Sequence, residues 1–442
     1  MKKEHEIKFK VFLEQEEDSK KEPSKMNATI PLGKFQDGAQ MLSNLFKDAG
    51  YTIYVVGGTV RDYLMSKFHD LPYKIKDVDL ATNARTKEVK KVLEDAGIKQ
   101  IPKGEAFGVI SAIVDGEEYE IATFREESGY ADRRRPSDVR ASDAKNDYKR
   151  RDFTFNALFY DMPRSSGGTG KIIDFGGGKG FEDIKSKKVS AVGSAKDRFA
   201  EDPLRVLRAV RFHGIFNKDK LKDVVDKDTF EAMKKFSSLE GVSPERVQAE
   251  FVSALIKARD PRVVLHSFES IGALPYMFPG LKLDIKSVDE LQKLPNEATK
   301  KVILTLAVLL RKSGAKEVKS KLNKLKYPNM ISDQVYNLIR TWEVLQNPSK
   351  KEISQHANAM SKKDFDFKKE LIKDFQPMVD KEVDSNRMRH LGEYEPKSYK
   401  GEDIKKQLGL EKMGPEIGSK IKELQSDDYD INYQKWKEIN KD

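Results

Sequence analysis

The alternation of strand-like and helix-like patterns in this chain stops near Glu201, and this change constrains the fold more than any other feature. Before that point, short apolar runs bounded by glycine and polar residues alternate with amphipathic helical patterns, which is typical of an α/β sheet domain. After it, apolar residues recur at helical spacing as far as the C-terminus. At 442 residues the chain is longer than a single core usually supports. We therefore predict an N-terminal sheet domain followed by an all-helical half.

Glycine and polar residues divide the first part of the chain into short elements. Positions 36–49 and 86–96 follow helical spacing, and a further helix passes through Arg61. Asp115-Gly116 separates two apolar runs, which indicates a β-hairpin. Residues 1–34 are interpreted as a mobile extension, with one short strand near 7–13 and a polar linker around Pro23. The predicted strands are 51–56, 77–81, 107–114, 118–124, 158–161 and 171–175, and the later helices include 203–216, 244–258, 261–271 and 299–312.

Composition restricts the partners and the compartment. The chain has 82 Lys and Arg against 72 Asp and Glu, a net charge of +10, which suits a polyanion such as nucleic acid; a Lys-rich proteome gives the same balance. There is no cysteine, and the six histidines lack ligand-like spacing, so we expect neither disulfides nor a zinc site. The longest apolar run, 302–310, is too short to span a membrane, and the N-terminus is charged rather than signal-like. A cytoplasmic protein without a membrane partner is expected.

Two carboxylates, Asp77 and Asp79, stand two residues apart on a predicted strand. Because side chains alternate along a strand, both project from one face while Val78 and Leu80 pack into the core. Paired hard oxygen ligands suit Mg²⁺. The spacing alone is weak support, since three later Asp pairs share it and are interpreted as solvated charges, namely 226/228, 364/366 and 428/430.

The surroundings of the first pair are more specific. Gly57-Gly58 ends a strand and opens a helix, so backbone amides and Arg61 can approach phosphate oxygens; a simple tight turn is the alternative. Glu120 is a candidate third carboxylate, although Glu118 alternates onto the same face and a solvated strand face remains open. The glycine-rich segments 167–171 and 176–180 do not fit the phosphate-loop pattern, because the hydroxyl position is wrong in both.

Five segments, in order, resemble the motifs of one family: the class II tRNA nucleotidyltransferases, or CCA-adding enzymes, and the related bacterial poly(A) polymerases. The resemblance extends from about residue 51 to 280. It implies an α/β polymerase-beta-like nucleotidyltransferase head followed by an elongated all-α C-terminal half. The segments are 57–62 with 77–79 (metal motif), 150–157 (ribose-selecting motif), 174–183 (flexible hinge), 201–205 (base-reading motif) and 243–250 (the helix bracing it).

The resemblance implies a reaction in which an RNA 3′ hydroxyl attacks the α-phosphate of a nucleoside triphosphate, with two Mg²⁺ ions and release of pyrophosphate. Asp77 and Asp79 would hold the metal, with Glu120 as a further catalytic carboxylate. Arg151 and Asp152, in the ribose-selecting motif, would bind the ribose, with Asp152 accepting a hydrogen bond from its 2′-OH. The expected triphosphate contacts are Gly57, Gly58, Arg61 and Asn156, together with Arg151.

Base choice without a template is predicted to rest on Asp202 and Arg205. At i and i+3 on a helix they share one face, so a carboxylate and a guanidinium can read the edge shared by cytosine and adenine. Guanine and uracil present the opposite pattern, and each unmet buried polar group costs about 1–3 kcal/mol. The alternative is that Asp202 and Arg205 form an ion pair on the surface and play no part in base choice. Glu201 and Arg208 are assigned supporting roles, with Arg208 facing phosphate or bracing Asp202.

The polar stretch 126–149, which includes Tyr130 and Arg133–Pro136, resembles the flexible loop of full CCA-adding enzymes. We therefore expect addition of C, C and A to tRNA from CTP and ATP by a monomer. The alternatives are a CC-adding, A-adding or poly(A)-synthesising relative, or a catalytically silent tRNA-binding protein. The predicted domains are the extension 1–34, a catalytic head 35–192, a neck with the base-reading motif 193–275, a body 276–345 and a tRNA-binding tail 346–442.

Overall fold

A computed structural model of the chain describes residues 22–101, 105, 108–128, 138–216, 220–346, 356, 365–379, 383, 385–393, 400–408, 412 and 414–439. The chain divides into two compact units, one before Ser243 and one from Ser243 onward. The finer domain boundaries expected from the sequence stay predictions. The short strand near 7–13 and the loop residues Tyr130 and Arg133–Pro136 lie outside the described residues.

A mixed sheet forms the centre of the first unit. Within the described residues eight strands pair in the order β1-β10-β9-β2-β3-β6-β5-β4, and β7 and β8 form a separate two-stranded ribbon. Among the pairs of the main sheet, β3 and β6 are parallel and the others are antiparallel. The strands are β1 Ser24–Ala28, β2 Ile53–Val56, β3 Val78–Thr82, β4 Lys99–Ile101, β5 Val109–Val114, β6 Glu117–Thr123, β7 Arg125–Ser128, β8 Asp138–Ala141, β9 Leu158–Asp161 and β10 Gly170–Asp174.

Helices alternate with strands along the chain as far as β10, and helices alone follow after it in the described residues, as the sequence patterns predict. The helices of the first unit are α1 Gln36–Asp48, α2 Gly58–His69, α3 Thr86–Asp95, α4 Ala144–Lys149, α5 Lys179–Ser186, α6 Ala195–Glu201, α7 Leu204–Phe216, α8 Leu221–Val224 and α9 Lys227–Lys235. The predicted fold class, an α/β head followed by a mostly helical half, is confirmed.

The alternation of side chains along β3 divides the sheet into two buried faces. Val78 and Leu80 are both 1% exposed, as the strand period predicts. Ala81 belongs to the opposite face, where helix α4 packs through Ala144 and Tyr148. The hairpin between β5 and β6 is also as predicted: Asp115 and Gly116 both have positive φ, at 52° and 81°, which matches the turns that suit twisted antiparallel strands.

Two segments differ from the sequence-based expectation. Residues 24–28, assigned to a mobile linker, form the edge strand β1 and pair with β10. The polar stretch 126–149, interpreted as a flexible loop, contributes β8 and helix α4, and β7 extends into it. Strand pairing satisfies backbone groups regardless of side-chain polarity, so a polar composition did not exclude a strand in either place.

The second unit is helical throughout its described residues. Its centre is α13, whose residues from Val302 to Leu310 are all buried. No helix of the described part of the chain is long and apolar enough to cross a membrane. The helices are α10 Pro244–Lys257, α11 Pro261–Ser270, α12 Leu274–Met277, α13 Ala298–Leu310, α14 Ala315–Lys324, α15 Asn329–Gln346, α16 Phe365–Val379, α17 Ser385–Glu393, α18 Gly401–Gln407 and α19 Pro415–Ile439, with 3-10 turns at Ile285–Lys293 and Arg311–Ser313.

A buried arginine follows the apolar helix α13. The Arg311 side chain is 0% exposed and donates from Nη2 to Ser287 Oγ at 2.7 Å and from Nε to Asp284 Oδ2 at 3.2 Å. Asp284 is itself buried and also binds Lys312 at 2.8 Å. Because a buried charge is tolerated only when it is paired, Asp284 stabilises the packing around α13 through Arg311.

We expect Asp284→Ala to destabilise the second unit by about 1–3 kcal/mol, because it removes the nearer of two carboxylates that pair with the buried Arg311 guanidinium and leaves Glu290 at 3.4 Å. Urea unfolding followed by circular dichroism measures the loss. Asp289→Ala is the matched control, since Asp289 is exposed and contacts the half-solvated His266; its cost should stay below about 1 kcal/mol. Equal costs for the two substitutions would contradict this assignment.

Candidate active site

Asp77 and Asp79 lie at the start of the central strand β3. Asp77 immediately precedes the strand, and Asp79 pairs in register with Val56 of β2 on one side and with Glu120 of β6 on the other. The parallel β3–β6 pairing thus places two carboxylates on neighbouring strands. Glu118, the alternative third carboxylate, lies two residues away in β6, opposite Ile113.

The turn before helix α2 approaches this strand closely. Gly57 has a φ of 74°, which favours glycine, and a Cβ atom there would lie 3.5 Å from Oδ2 of Asp79. Thr59 donates from Oγ1 to the carbonyl oxygen of Asp77 at 2.9 Å. The glycine turn and the first residues of α2 are therefore fixed against the Asp77–Asp79 segment, so the helix N-terminus lies beside the carboxylates.

The electrostatic environment of Asp79 is unfavourable to its own charge. Its pKa is raised to about 6, first by burial and then by the charges of Asp77 and Glu120, against the opposing charge of Arg151. Among the described residues, the Asp79 carboxylate accepts no hydrogen bond. A carboxylate that is half-buried beside like charges is suited to a cationic ligand.

The oxygen donors at this point fit a magnesium ion better than a closed protein cage. Within the described residues no three His, Asp or Glu side chains are close enough together to hold a metal ion. The pair Asp77 and Asp79 would therefore supply the protein ligands. Mg²⁺ is commonly bound in this way, by one or two carboxylates, with water and substrate phosphates completing its coordination.

Arg61 and Asn156 form a connected polar layer next to the carboxylates. Arg61 donates from Nη1 to Oδ1 of Asn156 at 2.7 Å and from Nε to Asp62 at 2.7 Å. Its guanidinium lies 5.1 Å from the ring centre of Phe212. These contacts fix the orientation of a cation on the first turns of α2, the position from which the sequence predicts phosphate binding.

Asp152 is held by four donors. Its Oδ1 accepts from the backbone amide of Phe153 at 2.8 Å and from Asn156 Nδ2 at 3.2 Å, and its Oδ2 accepts from Nε and Nη2 of Arg208 at 2.8 and 2.5 Å. Burial raises its pKa, but the bidentate Arg208 and then Arg205 outweigh this and hold the pKa at about 2. Asp152 is therefore ionised at neutral pH.

The predicted base-reading residues are close in space but not in the predicted geometry. Asp202 is not on a helix: its backbone is extended, with φ −147°, and α7 begins at Leu204, whose amide donates to Oδ1 of Asp202 at 3.1 Å. Arg205 lies on α7 and donates to Glu201 at 2.7 Å. The shared helix face is therefore wrong, because the residue before Pro203 is sterically driven out of the helical region.

Two further residues organise this region and were not singled out from the sequence. Asp147 is 0% exposed and binds both Arg150 and Arg151. Arg198 binds Glu201 at 2.6 Å. Both lie three or four residues from an oppositely charged partner on a helix, which is the one signal that could have identified them.

The glycine-rich segment at 176–180 serves an internal carboxylate. Asp174 is fully buried and accepts hydrogen bonds from the backbone amides of Gly176 at 2.8 Å and Gly180 at 2.7 Å. The backbone amides that would bind a phosphate in a phosphate loop are thus already bonded to Asp174. This agrees with the prediction that the segment is not a phosphate loop. The hinge role of this segment stays a prediction.

Comparisons with known proteins bear on the whole chain. The family described as Poly A polymerase head domain matches residues 53–190, and the family described as Probable RNA and SrmB-binding site of polymerase A matches residues 224–284. The CCA-adding enzyme of Streptococcus pyogenes serotype M5 (strain Manfredo) is 31% identical over 414 residues, which cover 90% of this chain and 93% of that protein.

Solved structures have the same fold. The Bacillus stearothermophilus CCA-adding enzyme in complex with CTP matches with a TM-score of 0.62 and 22% identity, covering 92% of this chain and 98% of that one. A tRNA nucleotidyltransferase complexed with a primer tRNA and an incoming ATP analog matches with a TM-score of 0.54 and 21% identity, covering 87% and 98%. The chain therefore belongs to the CCA-adding enzyme family, the class II tRNA nucleotidyltransferases whose head resembles that of poly(A) polymerases.

Proposed function

We propose that this chain adds C, C and A to the 3′ end of tRNA, using CTP and ATP and releasing pyrophosphate. The observation that carries the proposal is the geometry of Asp77 and Asp79, which lie opposite Glu120 of β6 and against the glycine turn that opens α2. The near full-length similarity to CCA-adding enzymes supports the same reaction. The structural relatives solved with CTP and with a primer tRNA support those partners. The cytoplasmic location and the monomeric state stay predictions.

Asp77 and Asp79 would hold the catalytic Mg²⁺ ions. When bound, these ions supply a Lewis acid that activates the attacking RNA hydroxyl and neutralises charge on the triphosphate. Gly57 and Gly58 let the N-terminus of α2 approach the phosphates, where free backbone amides favour anions. Arg61 lies on the same helix and is oriented by Asn156, so its positive charge adjoins this anion site.

Base selection is assigned to Arg205 with Asp202. Arg205 donates to Glu201, to the carbonyl oxygen of Arg198 at 3.1 Å and to that of Arg150 at 3.3 Å. These bonds use three of the five N–H groups of a guanidinium, as far as the described residues show. The N–H group on Nε of Arg205 and one N–H group on its Nη2 therefore remain to contact a base. Two such donors match the N3 and O2 acceptors of cytosine.

The proposal predicts that the purified chain, incubated with Mg²⁺, CTP, ATP and tRNA ending before the CCA triplet, extends it by C, C and A. Sequencing of the RNA 3′ ends reads the product directly. Addition of CC alone, A alone or a long A tail would instead identify a different relative in the family. Binding of tRNA without any incorporation would identify a silent tRNA-binding protein.

Asp77→Ala is the site control for that assay. It should abolish incorporation while leaving tRNA affinity, measured by filter binding, within about twofold, because Asp77 is exposed and its loss removes a metal ligand but no positive charge that binds tRNA phosphates. Incorporation that survives the substitution would remove Asp77 from the proposed metal site.

Asp79→Asn is expected to abolish activity and yet to stabilise the metal-free protein. A carboxyl whose folded pKa is about 6, against an ordinary 3.8, weakens folding as the pH rises from about 4 to 6. At pH 7 in EDTA the substitution should therefore raise the free energy of unfolding by about 1–2 kcal/mol, since one pKa unit is worth about 1.4 kcal/mol and Asp79 is only half-buried. The gain should vanish near pH 4.

Urea unfolding at several pH values measures this effect. Asp95→Asn is the matched control, because Asp95 is exposed and, among the residues that the structure describes, pairs with Lys91 across one helical turn. If Asp79→Asn gave the metal-free protein no gain in stability at pH 7 over its effect at pH 4, the Asp79 carboxylate would not be an electrostatic burden, and the electrostatic support for the metal site would be lost.

Arg205→Lys is expected to relax base choice. Lysine keeps the positive charge but loses the fixed fork of donors, so CTP incorporation should fall by about 10- to 100-fold relative to UTP, the equivalent of about 1–3 kcal/mol. Competition between labelled CTP and UTP at one tRNA end measures the ratio. Arg262→Lys, in the bidentate pair with Asp260 of the second unit, is the control that should leave the ratio unchanged. A uniform loss for all four nucleotides would contradict base reading by Arg205.

A further inference from the structure

A single buried carboxylate holds two neighbouring arginines. Asp147, on α4, accepts from Arg150 Nη2 at 2.6 Å and Nε at 2.8 Å through Oδ1, and from Arg151 Nη2 at 2.8 Å and Nε at 3.1 Å through Oδ2. The backbone amide of Arg125, the first residue of β7, also reaches Oδ1 at 3.3 Å. Burial raises the pKa of Asp147, but the two guanidiniums outweigh it and hold the pKa below its usual range.

Stability alone does not account for this arrangement. Charged groups lose their hydration when they are buried, and an ion pair of this kind is often no more stable than apolar residues of similar volume. Helix α4 has only six residues, and it commits one of them to a carboxylate that orients two cations. The positions of Arg150 and Arg151 are therefore the feature that Asp147 determines most directly.

Arg151 is fixed beside the candidate metal site. Its guanidinium lies 4.9 Å from the ring centre of Phe159, and its Nη1 donates to the carbonyl oxygen of Asn156 at 3.4 Å. Its charge is close enough to Asp79 to oppose the rise in that residue's pKa. Asp147 therefore sets where a positive charge stands relative to the site proposed for the triphosphate.

The end of α4 also supports the proposed base-reading residue. The carbonyl oxygen of Arg150 accepts from Nη2 of Arg205 at 3.3 Å, and that of Lys149 accepts from Nη1 of Arg198 at 3.0 Å. Carbonyls at a helix C-terminus carry partial negative charge, which favours guanidinium partners. The side chain of Arg150, held by Asp147, adjoins this contact.

We propose that Asp147 is a positioning residue for the incoming nucleotide: it orients Arg151 toward the triphosphate and secures the end of α4 against Arg205. This inference rests on the proposed function for its substrate. It assigns Asp147 no contact with the nucleotide, because its carboxylate is buried and occupied by arginines. Its loss should therefore weaken nucleotide binding while tRNA binding is retained.

Asp147→Asn is the test, and Asp143→Ala is its matched control. Asp143 caps the same helix by accepting from the amide of Asn146 at 2.8 Å and, in the described part of the chain, makes no ion pair with either arginine. Calorimetric titration with CTP and MgCl₂, without tRNA, should show about 10- to 100-fold weaker binding for Asp147→Asn and little change for Asp143→Ala. In the steady state the KM for CTP and ATP should rise while the KM for tRNA stays constant.

Equal CTP affinities for Asp147→Asn and Asp143→Ala would overturn the proposal, since Asp147 would then only stabilise the helix. If circular dichroism shows that Asp147→Asn does not fold, Arg151→Lys decides instead: it keeps the charge that neutralises Asp147 but loses the oriented fork, and unchanged CTP affinity would reject the inference. Because binding is measured without tRNA, a wild-type protein that binds CTP but adds nothing contradicts the proposed function and leaves this test intact.

Discussion

Asp79 carries a carboxylate that is partly withdrawn from water and faces the carboxylates of Asp77 and Glu120. A direct ion pair with a nearby arginine would be the simplest way to relieve that repulsion. Instead, three arginines in the described part of the site are bound to other carboxylates, which leaves the negative potential at Asp79 available to a ligand. These pairs are Arg61 with Asp62, Arg151 with Asp147, and Arg208 with Asp152.

The negative electrostatic potential at Asp79 results from the sheet topology, which local sequence patterns do not determine. The runs around 51–56, 77–81 and 107–124 were predictable as strands because apolar alternation and the Asp115-Gly116 turn are local signals. The parallel pairing of β3 with β6, which sets Asp79 against Glu120, joins residues about 40 positions apart. The same limitation explains β1, whose pairing with β10 crosses most of the unit. Non-local pairing of this kind is decided by burial and closure of the sheet, not by composition.

The candidate site was predictable where chemistry follows from residue type and spacing, as for Asp77, Asp79 and the glycine turn. The site was less predictable where a side chain acts by holding another residue in place. Asp147 lies one helical turn before the motif that begins at Arg150, so the motif itself does not contain it. The geometry of Asp202 was mispredicted although the sequence carried the signal, since Pro203 disfavours a helical conformation in the residue that precedes it.

The contacts of Asp152 restrict how it can select a ribose. A carboxylate offers about four acceptor sites, and Asp152 already receives four donors from Phe153, Asn156 and Arg208. A 2′-hydroxyl must therefore replace one of them, and the 3.2 Å bond from Asn156 is the longest. A deoxynucleotide would leave that bond in place and no acceptor unpaired. Strong rejection of an analogue requires a polar group left unsatisfied, so Asp152 alone should discriminate against deoxynucleotides only weakly. Asn156 also accepts a hydrogen bond from Arg61 of helix α2. Displacing Asn156 from Asp152 would therefore also change the position of Arg61. Ribose binding is in this way coupled to the phosphate-binding helix, which offers a second point of selection against deoxynucleotides.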